Sequence, residues 1–118
     1  MRKISSTNYR NERSIVDNCP ITATMKAIGG RWKLVIIWNL KDGALRYGEL
    51  RKKIPHISEK MLTQQLKALV EGNWVNRQDF REIPPRTSYS LTELGRSFVP
   101  ILTQIYTWGT ENKITELG

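Results

Sequence analysis

The sequence has very little of what disulfides and metal sites require. It contains one cysteine, Cys19, and one histidine, His56, so an intrachain disulfide is excluded and a Cys/His zinc site is not expected. Long apolar runs are missing too. The longest, Leu34–Trp38, is far shorter than the ~20 residues that cross a bilayer, and the N-terminal segment has no apolar signal core. These absences predict a cytoplasmic protein with no metal, no cofactor and no segment that crosses a membrane.

Residue combinations that carry catalysis are also absent. The sequence has no Ser/His/Asp arrangement, no glycine-rich phosphate loop and no paired acids in a recognisable motif. His56 has no carboxylate or cysteine at a useful spacing, and a polar turn residue is its simplest interpretation. We therefore do not expect an enzyme.

Basic residues outnumber acidic residues. Nineteen Lys and Arg against 11 Asp and Glu give a formal charge of +8 over 118 residues. Such an excess favours a polyanionic partner, but charge alone does not choose between nucleic acid and a membrane surface. Half of the excess lies between Arg46 and Lys67, which concentrates the candidate contacts in one part of the chain.

The order of predicted elements gives the fold class. Residues 1–18 form a polar N-terminal arm, and residues 19–118 form one domain. Helix patterns begin at Pro20, cover "RWKLVIIWNL", and then form a pair joined by a short linker. Two strand patterns with a proline-containing tip follow, and a last helix covers about residues 92–112. This order predicts an α+β fold, mainly α: a winged helix-turn-helix with a two- to three-stranded wing and a C-terminal dimerisation helix.

The second helix of the pair, which begins at Ser58, has a polar face without acids. One face of the helix carries an apolar stripe, and the opposite face carries Lys60, Thr63, Gln64 and Lys67. A helix face that needs only solubility usually alternates Glu and Lys, whereas Gln, Lys and Thr suit base edges and phosphates. We predict that this face reads DNA in the major groove, and an ordinary solvated face is the alternative.

Further candidate DNA contacts lie on either side of this helix. Arg81 and Arg86 flank the wing tip and could reach a phosphate strand or the minor groove, unless they are incidental residues of a hairpin tip. Arg46 and Tyr47 precede the first helix of the pair, where a guanidinium, a phenol hydroxyl and a helix N-terminus could hold one phosphate. The alternative for Tyr47 is packing on the wing.

The last helix carries two apolar stripes. One runs through Leu94, Phe98, Ile101, Ile105 and Trp108, and the other through Val99, Leu102 and Tyr106. We expect one stripe to cover its own domain and the other to face a second subunit, and one wide face on a single core is the alternative. The predicted dimerisation residues are Phe98, Ile101, Leu102, Ile105 and Trp108.

Cys19 lies directly before Pro20, at or beside the start of a helix. That position can lower the pKa of a thiol and make it reactive, which makes Cys19 a candidate redox sensor. A small, buried, apolar-like residue is the simpler interpretation.

Several ordered motifs resemble those of the HxlR-type winged helix-turn-helix transcriptional regulators. They cover about residues 19–109 and read "CPI", "IGGRWKLVIIWNL", "GALRYGEL", "ISEKMLTQQL", "PPRTSYSLTELG" and "WG". The resemblance implies a homodimeric bacterial regulator that binds double-stranded operator DNA through the Ser58 helix and the wing. It adds Ser58 and Gln65 to the recognition-helix residues, and it places Pro85 beside Arg86 in the wing motif.

The resemblance also bears on Cys19. Some family members use the matching cysteine to sense quinones, aldehydes or oxidants, and others keep it without demonstrated sensing. A second sensing cysteine of some members is absent here, which leaves a Cys19–Cys19′ bond, a mixed disulfide or alkylation. The operator and any small-molecule effector remain unidentified. The competing function is a winged-helix module that binds protein or RNA rather than operator DNA.

Overall fold

The computed structural model describes residues 19–116. Within this range the chain forms five α-helices and three β-strands, and it divides between Gly30 and Arg31 into two compact units that are described separately. The polar arm expected over residues 1–18 lies outside the described residues.

The first unit contains helix α1, Pro20–Ile28. Cys19 is its N-cap residue and Pro20 occupies the first helical position, where a missing N–H costs nothing. The helix ends where the Gly29 N–H bonds to the carbonyl of Met25, and a Cβ on Gly29 would collide with that same carbonyl. The predicted helix start at Pro20 is therefore confirmed.

The second unit is mainly helical, with one antiparallel sheet in the order β1–β3–β2. The predicted mainly helical α+β class and the two- to three-stranded sheet of the wing are confirmed, with three strands in the sheet. Its elements, in chain order, are α2 Lys33–Asn39, β1 Leu45–Arg46, α3 Tyr47–Lys53, α4 Glu59–Glu71, β2 Val75–Phe80, β3 Arg86–Leu91 and α5 Glu93–Glu111.

Helix α4 is the second helix of the helix-turn-helix pair. It begins where the Ser58 hydroxyl accepts a hydrogen bond from the Met61 N–H at 3.0 Å, as expected of a serine cap. Its inner face is apolar, with Leu62, Leu66 and Leu69 fully buried. Burying three leucines against the other helices and the sheet stabilises the fold by several kcal/mol, at about 1.5–3 kcal/mol for each side chain. That packing leaves the polar face of α4 outward.

The wing is a hairpin of β2 and β3 with a five-residue tip. Its register pairs Val75 with Leu91 at the base and Phe80 with Arg86 at the tip. Tyr89 and Leu91 lie on the same, buried face of β3, as their alternation predicts. Strand β2 begins at Val75, shortly after Asn73, whose φ of 66° turns the chain.

Helix α5 is held to the base of the wing by its cap. The buried Thr92 hydroxyl accepts a hydrogen bond from the Gly95 N–H at 3.0 Å and donates to the Asn73 carbonyl at 2.7 Å. Gly95 is required here because a Cβ would collide with the Trp74 carbonyl oxygen. The predicted helix, residues 92–112, agrees with the observed one and its two cap residues.

Candidate nucleic-acid interface

The outer face of α4 presents four of the predicted residues to solvent. The side chains of Lys60, Thr63, Gln64 and Lys67 are all exposed, and none of them is an acid. None of the four forms an ion pair with another residue between 19 and 116. This surface is therefore polar, positively charged and without an opposing carboxylate between residues 60 and 70.

The two residues added by the family resemblance, Ser58 and Gln65, do not lie with this exposed group. The Ser58 hydroxyl is used by the helix cap, so its role inside the chain is structural. Gln65 is half-buried at the edge of α4, and its amide lies 3.5 Å from the Met61 sulfur. The structure therefore separates Ser58 and Gln65 from the outward-facing group on α4.

Tyr47 packs on α4, which neither sequence interpretation anticipated. Its hydroxyl lies 3.1 Å from the Glu59 carbonyl oxygen and 3.1 Å from the Thr63 Oγ1. The tyrosine therefore links the start of α3 to the first turns of α4. Its ring is half-buried, and both of these contacts of its hydroxyl oxygen are with α4.

The start of α3 already has an anionic partner. The Glu49 carboxylate accepts a hydrogen bond from the Arg46 backbone N–H at 2.8 Å, an arrangement that commonly caps a helix. A phosphate at the same position would meet this negative charge. The proposed three-part phosphate site at Arg46 and Tyr47 is thus not assembled, although the Arg46 side chain is exposed and can contact DNA by itself.

The two wing arginines have different surroundings. Arg81 is exposed, and it forms no ion pair within residues 19–116. The Arg86 guanidinium lies 3.3 Å from the Glu82 carboxylate and 3.9 Å from the centre of the Phe80 ring, with 27% of its side chain exposed. Arg86 therefore folds back on the wing tip, and part of its charge is neutralised there.

A cleft of about 340 Å³ separates the wing tip from the start of α3. Its walls carry charges of both signs, because Arg46 and Arg86 line it together with Glu82. Pro85, which matched the family wing motif, is also in this lining. The cleft brings together two of the predicted arginines, which are 40 residues apart in the sequence.

One acid that braces the wing was not among the predicted residues. The Asp79 carboxylate accepts hydrogen bonds from the Thr87 hydroxyl at 2.8 Å and the Arg77 Nε at 3.1 Å. These hydrogen bonds, with that from Thr87 the stronger, lower the pKa of Asp79. The cross-strand pairing of Asp79 with Thr87 is the signal that could have found it, once the hairpin register is known.

The predicted dimerisation residues divide into two groups. Phe98 and Leu102 are only 9% and 6% exposed within the chain, and the Phe98 ring packs edge-to-face on Trp74 with 6.1 Å between centres. They belong to the core of the chain, which corrects their assignment to an interface. Ile101, Ile105 and Trp108 are 48%, 52% and 61% exposed and form an apolar surface on α5.

This apolar surface continues across a shallow groove between α2 and α5. The groove has a volume of about 200 Å³, and its lining is almost entirely apolar. Tyr106 from the second predicted stripe is exposed and stacks on Trp38 with 5.3 Å between ring centres. The exposed surface therefore combines residues from both stripes rather than following one of them.

Cys19, in the first unit, is partly exposed. The backbone N–H groups of Thr22 and Ile21, at the start of α1, lower the pKa of its thiol. The thiol does not form a capping hydrogen bond. The position is thus one that favours the reactive thiolate.

Residues 19–116 contain neither a candidate metal site nor a candidate membrane span. No group of three His, Cys, Asp or Glu residues there could hold a metal ion. Likewise, none of the helices found between residues 19 and 116 combines the length and apolar character needed to cross a membrane. His56 is exposed in the linker between α3 and α4.

A helix-turn-helix with an exposed, cationic second helix and a hairpin beside it defines a winged helix-turn-helix DNA-binding transcription regulator. The model of the HxlR-like helix-turn-helix family matches residues 27–116, and the chain belongs to that family.

Known relatives and solved structures agree with this assignment. An uncharacterized HTH-type transcriptional regulator of Methanothermobacter thermautotrophicus is 42% identical over 91 residues, covering 77% of this chain and 70% of the relative. The oxidized redox regulator HypR superposes with a TM-score of 0.75 at 40% identity, covering 79% of this chain and 96% of HypR. The reduced Bacillus subtilis regulator YodB superposes with a TM-score of 0.69 at 35% identity, covering 85% of this chain and 97% of YodB. These names describe transcription regulators, not enzymes.

Proposed function

We propose that this chain acts as a homodimer on a pseudo-palindromic operator, with α4 of each subunit in the major groove. The observation that carries the proposal is the outward face of α4, where Lys60, Thr63, Gln64 and Lys67 are exposed together. Gln can form two hydrogen bonds with adenine, and Lys can contact guanine or phosphate. In a dimer, two such helices enter successive grooves about 34 Å apart, so half-sites with that spacing are expected.

The wing supplies contacts to the DNA backbone. Arg81 is exposed and forms no ion pair with any residue from 19 to 116, and it is the residue that we assign to a phosphate or to the minor groove. Arg86 supports the tip through Glu82 and Phe80, and its contribution to binding is therefore indirect. Gln65 and Ser58 act by supporting α4 rather than by touching bases.

The second subunit is proposed to cover the apolar surface of α5. Ile101, Ile105 and Trp108 each leave roughly half of their area in contact with water, which is costly for large apolar side chains. A contiguous exposed apolar patch of this kind is typical of a protein interface. The exposed Tyr106 and the groove beside it extend the patch towards α2.

Cys19 is proposed to make DNA binding responsive to oxidants or electrophiles. Its lowered thiol pKa supports this role, because the thiolate is the reactive form. The similar regulators HypR and YodB have been solved in oxidized, reduced and diamide-treated forms. With one cysteine in the chain, the product would be a bond to the second subunit's Cys19, a mixed disulfide or an alkylated thiol.

Replacing Gln64 tests the base-reading role. We expect Gln64→Ala to weaken binding to a duplex from the upstream region of its own gene by about 5- to 150-fold for each half-site, the range for one bidentate base contact. Binding to a random duplex of equal length should change little. Fluorescence anisotropy at one fixed salt concentration measures both, with Gln104→Ala on the exposed surface of α5 as a matched truncation.

The same assay separates the competing functions. Equal loss on the two duplexes in Gln64→Ala would remove base reading from this residue. A wild type that does not prefer its upstream duplex over random DNA, and binds an RNA hairpin more tightly than either, would replace the operator proposal with an RNA-binding module.

A further inference from the structure

The hydroxyl groups of Tyr47 and Thr63 can be assigned donor and acceptor roles by counting protons. The Tyr47 hydroxyl has one proton and lies 3.1 Å from two oxygens. One of them, the Glu59 carbonyl oxygen, can only accept, so Tyr47 donates to it. The bond with Thr63 must then run the other way, with the Thr63 hydroxyl donating to the Tyr47 oxygen.

This arrangement differs from that of two other exposed helical threonines, Thr103 and Thr110. Thr103 and Thr110 donate to the carbonyl four residues earlier in α5, each at 2.9 Å. For Thr63 the equivalent acceptor is the Glu59 carbonyl, which already accepts from Tyr47. Tyr47 thus occupies the usual acceptor of Thr63 and offers its own oxygen instead.

Thr63 therefore has no proton left for an external partner. An exposed threonine in this state offers its methyl group and acceptor lone pairs, and it cannot donate to a phosphate or to the O6 and N7 acceptors of guanine. The methyl group of threonine suits the C5-methyl group of thymine, since two apolar groups that meet in the groove lose water-exposed area.

We infer that Thr63 reads the C5-methyl group of a thymine in each half-site, and that Tyr47 is the positioning residue which holds the Thr63 hydroxyl, and with it the methyl group, in place. The inference rests on the proposed operator binding and specifies one of its base contacts. It assigns Thr63 a different kind of readout from the hydrogen bonding expected of its neighbours Gln64 and Lys60.

The test replaces single thymines of the bound operator by deoxyuridine, which removes the C5-methyl group alone. We expect one thymine per half-site at which wild type loses about fourfold in affinity, the amount for one buried carbon. Thr63→Val keeps the methyl group and should keep this sensitivity. Thr63→Ser keeps the hydroxyl bond but lacks the methyl group, so it should bind both duplexes equally. Thr103→Ser makes the same change on α5 and should behave as wild type.

A second comparison tests the role of Tyr47. Tyr47→Phe removes the oxygen to which Thr63 donates and frees the Glu59 carbonyl, so the Thr63 hydroxyl should turn to that carbonyl, as those of Thr103 and Thr110 do, and move the methyl group with it. The sensitivity to deoxyuridine at that one thymine should therefore fall, while preferences elsewhere are unchanged. In the Thr63→Val background there is no hydroxyl to turn, and Tyr47→Phe should then have no further effect on the response to deoxyuridine. A change of equal size in both backgrounds would show that Tyr47 only supports the position of α4 and would overturn its positioning role.

The outcomes distinguish a failure of operator binding from a failure of the thymine contact. If wild type selects no sequence from a randomised duplex library, operator binding fails and the thymine contact fails with it. If wild type selects a clear sequence but no thymine responds to deoxyuridine, or Thr63→Ser stays sensitive, operator binding stands and the thymine contact is refuted.

Discussion

Removing one cation from the outer face of α4 should change how steeply DNA binding depends on salt. Each protomer presents four exposed cations on the proposed DNA surface, namely Arg46, Lys60, Lys67 and Arg81. Arg86 is not counted, because the Glu82 carboxylate at 3.3 Å already partly neutralises it. Each phosphate neutralised releases counterions, so the slope of log Kobs against log salt reports the number of such contacts.

The expected slope follows from the number of exposed cations on the proposed DNA surface. A dimer with eight contacts has an expected slope of about −7, and Lys60→Gln, which removes two, has one of about −5. Between about 50 and 200 mM salt, Lys60→Gln should lose roughly tenfold less affinity than wild type. Arg86→Gln should leave the slope close to that of wild type, because the arginine is held by its partner on the wing.

Fluorescence anisotropy titrations at four or five salt concentrations measure these slopes on operator and random duplexes. Lys113→Gln, beyond the end of α5, removes the same charge away from the proposed surface and is the matched control. A slope for Lys60→Gln equal to that of Lys113→Gln would refute the placement of α4 against the DNA. A large decrease for Arg86→Gln would show that the Glu82 pair opens on binding.

Further outcomes are expected at three other sites, Ile105, Thr92 and Cys19. Ile105→Glu places a charge on the apolar surface of α5 and should give monomers in analytical ultracentrifugation, whereas Thr103→Glu on the opposite side should remain dimeric; a wild type that is monomeric at micromolar concentration rules out the interface. Thr92→Ala removes the α5 cap and a buried donor and should lower the free energy of unfolding by about 2 kcal/mol in urea titrations. A loss below about 0.5 kcal/mol would contradict the role of that cap. Because the pKa of the Cys19 thiol is lowered, its alkylation by iodoacetamide should persist to a lower pH than that of glutathione. Diamide should release DNA from wild type but not from Cys19→Ser, and an equal response of both proteins excludes Cys19 as the sensor.

Local features of the fold could be predicted because they depend on neighbours within one or two turns. The caps at Ser58 and Thr92 use a side chain and an N–H three residues later, and both are present. The separation of α4 into an apolar and a cationic face follows from the helical period alone. The alternation that buries Tyr89 and Leu91 likewise follows from the period of a strand.

Partners that depend on how the chain turns or on how helices pack could not be predicted, and they decide which candidate residues are free to act. Arg81 and Arg86 look alike in the sequence, but among the described residues the wing tip places Glu82 and Phe80 against Arg86 and leaves Arg81 exposed without an ion pair. Tyr47 is 16 residues from Thr63, and their contact exists only because α3 packs against α4.

The last helix shows the same division. Its periodicity determined that it is amphipathic with more apolar surface than one face needs, and its cap determined where it begins. Which apolar residues lie inside was decided by the elements packed on it, since Trp74 meets Phe98 while Ile105 meets no such partner among the described residues. Burial depends on how distant segments surround a side chain, and the spacing of residues along one helix does not contain that information.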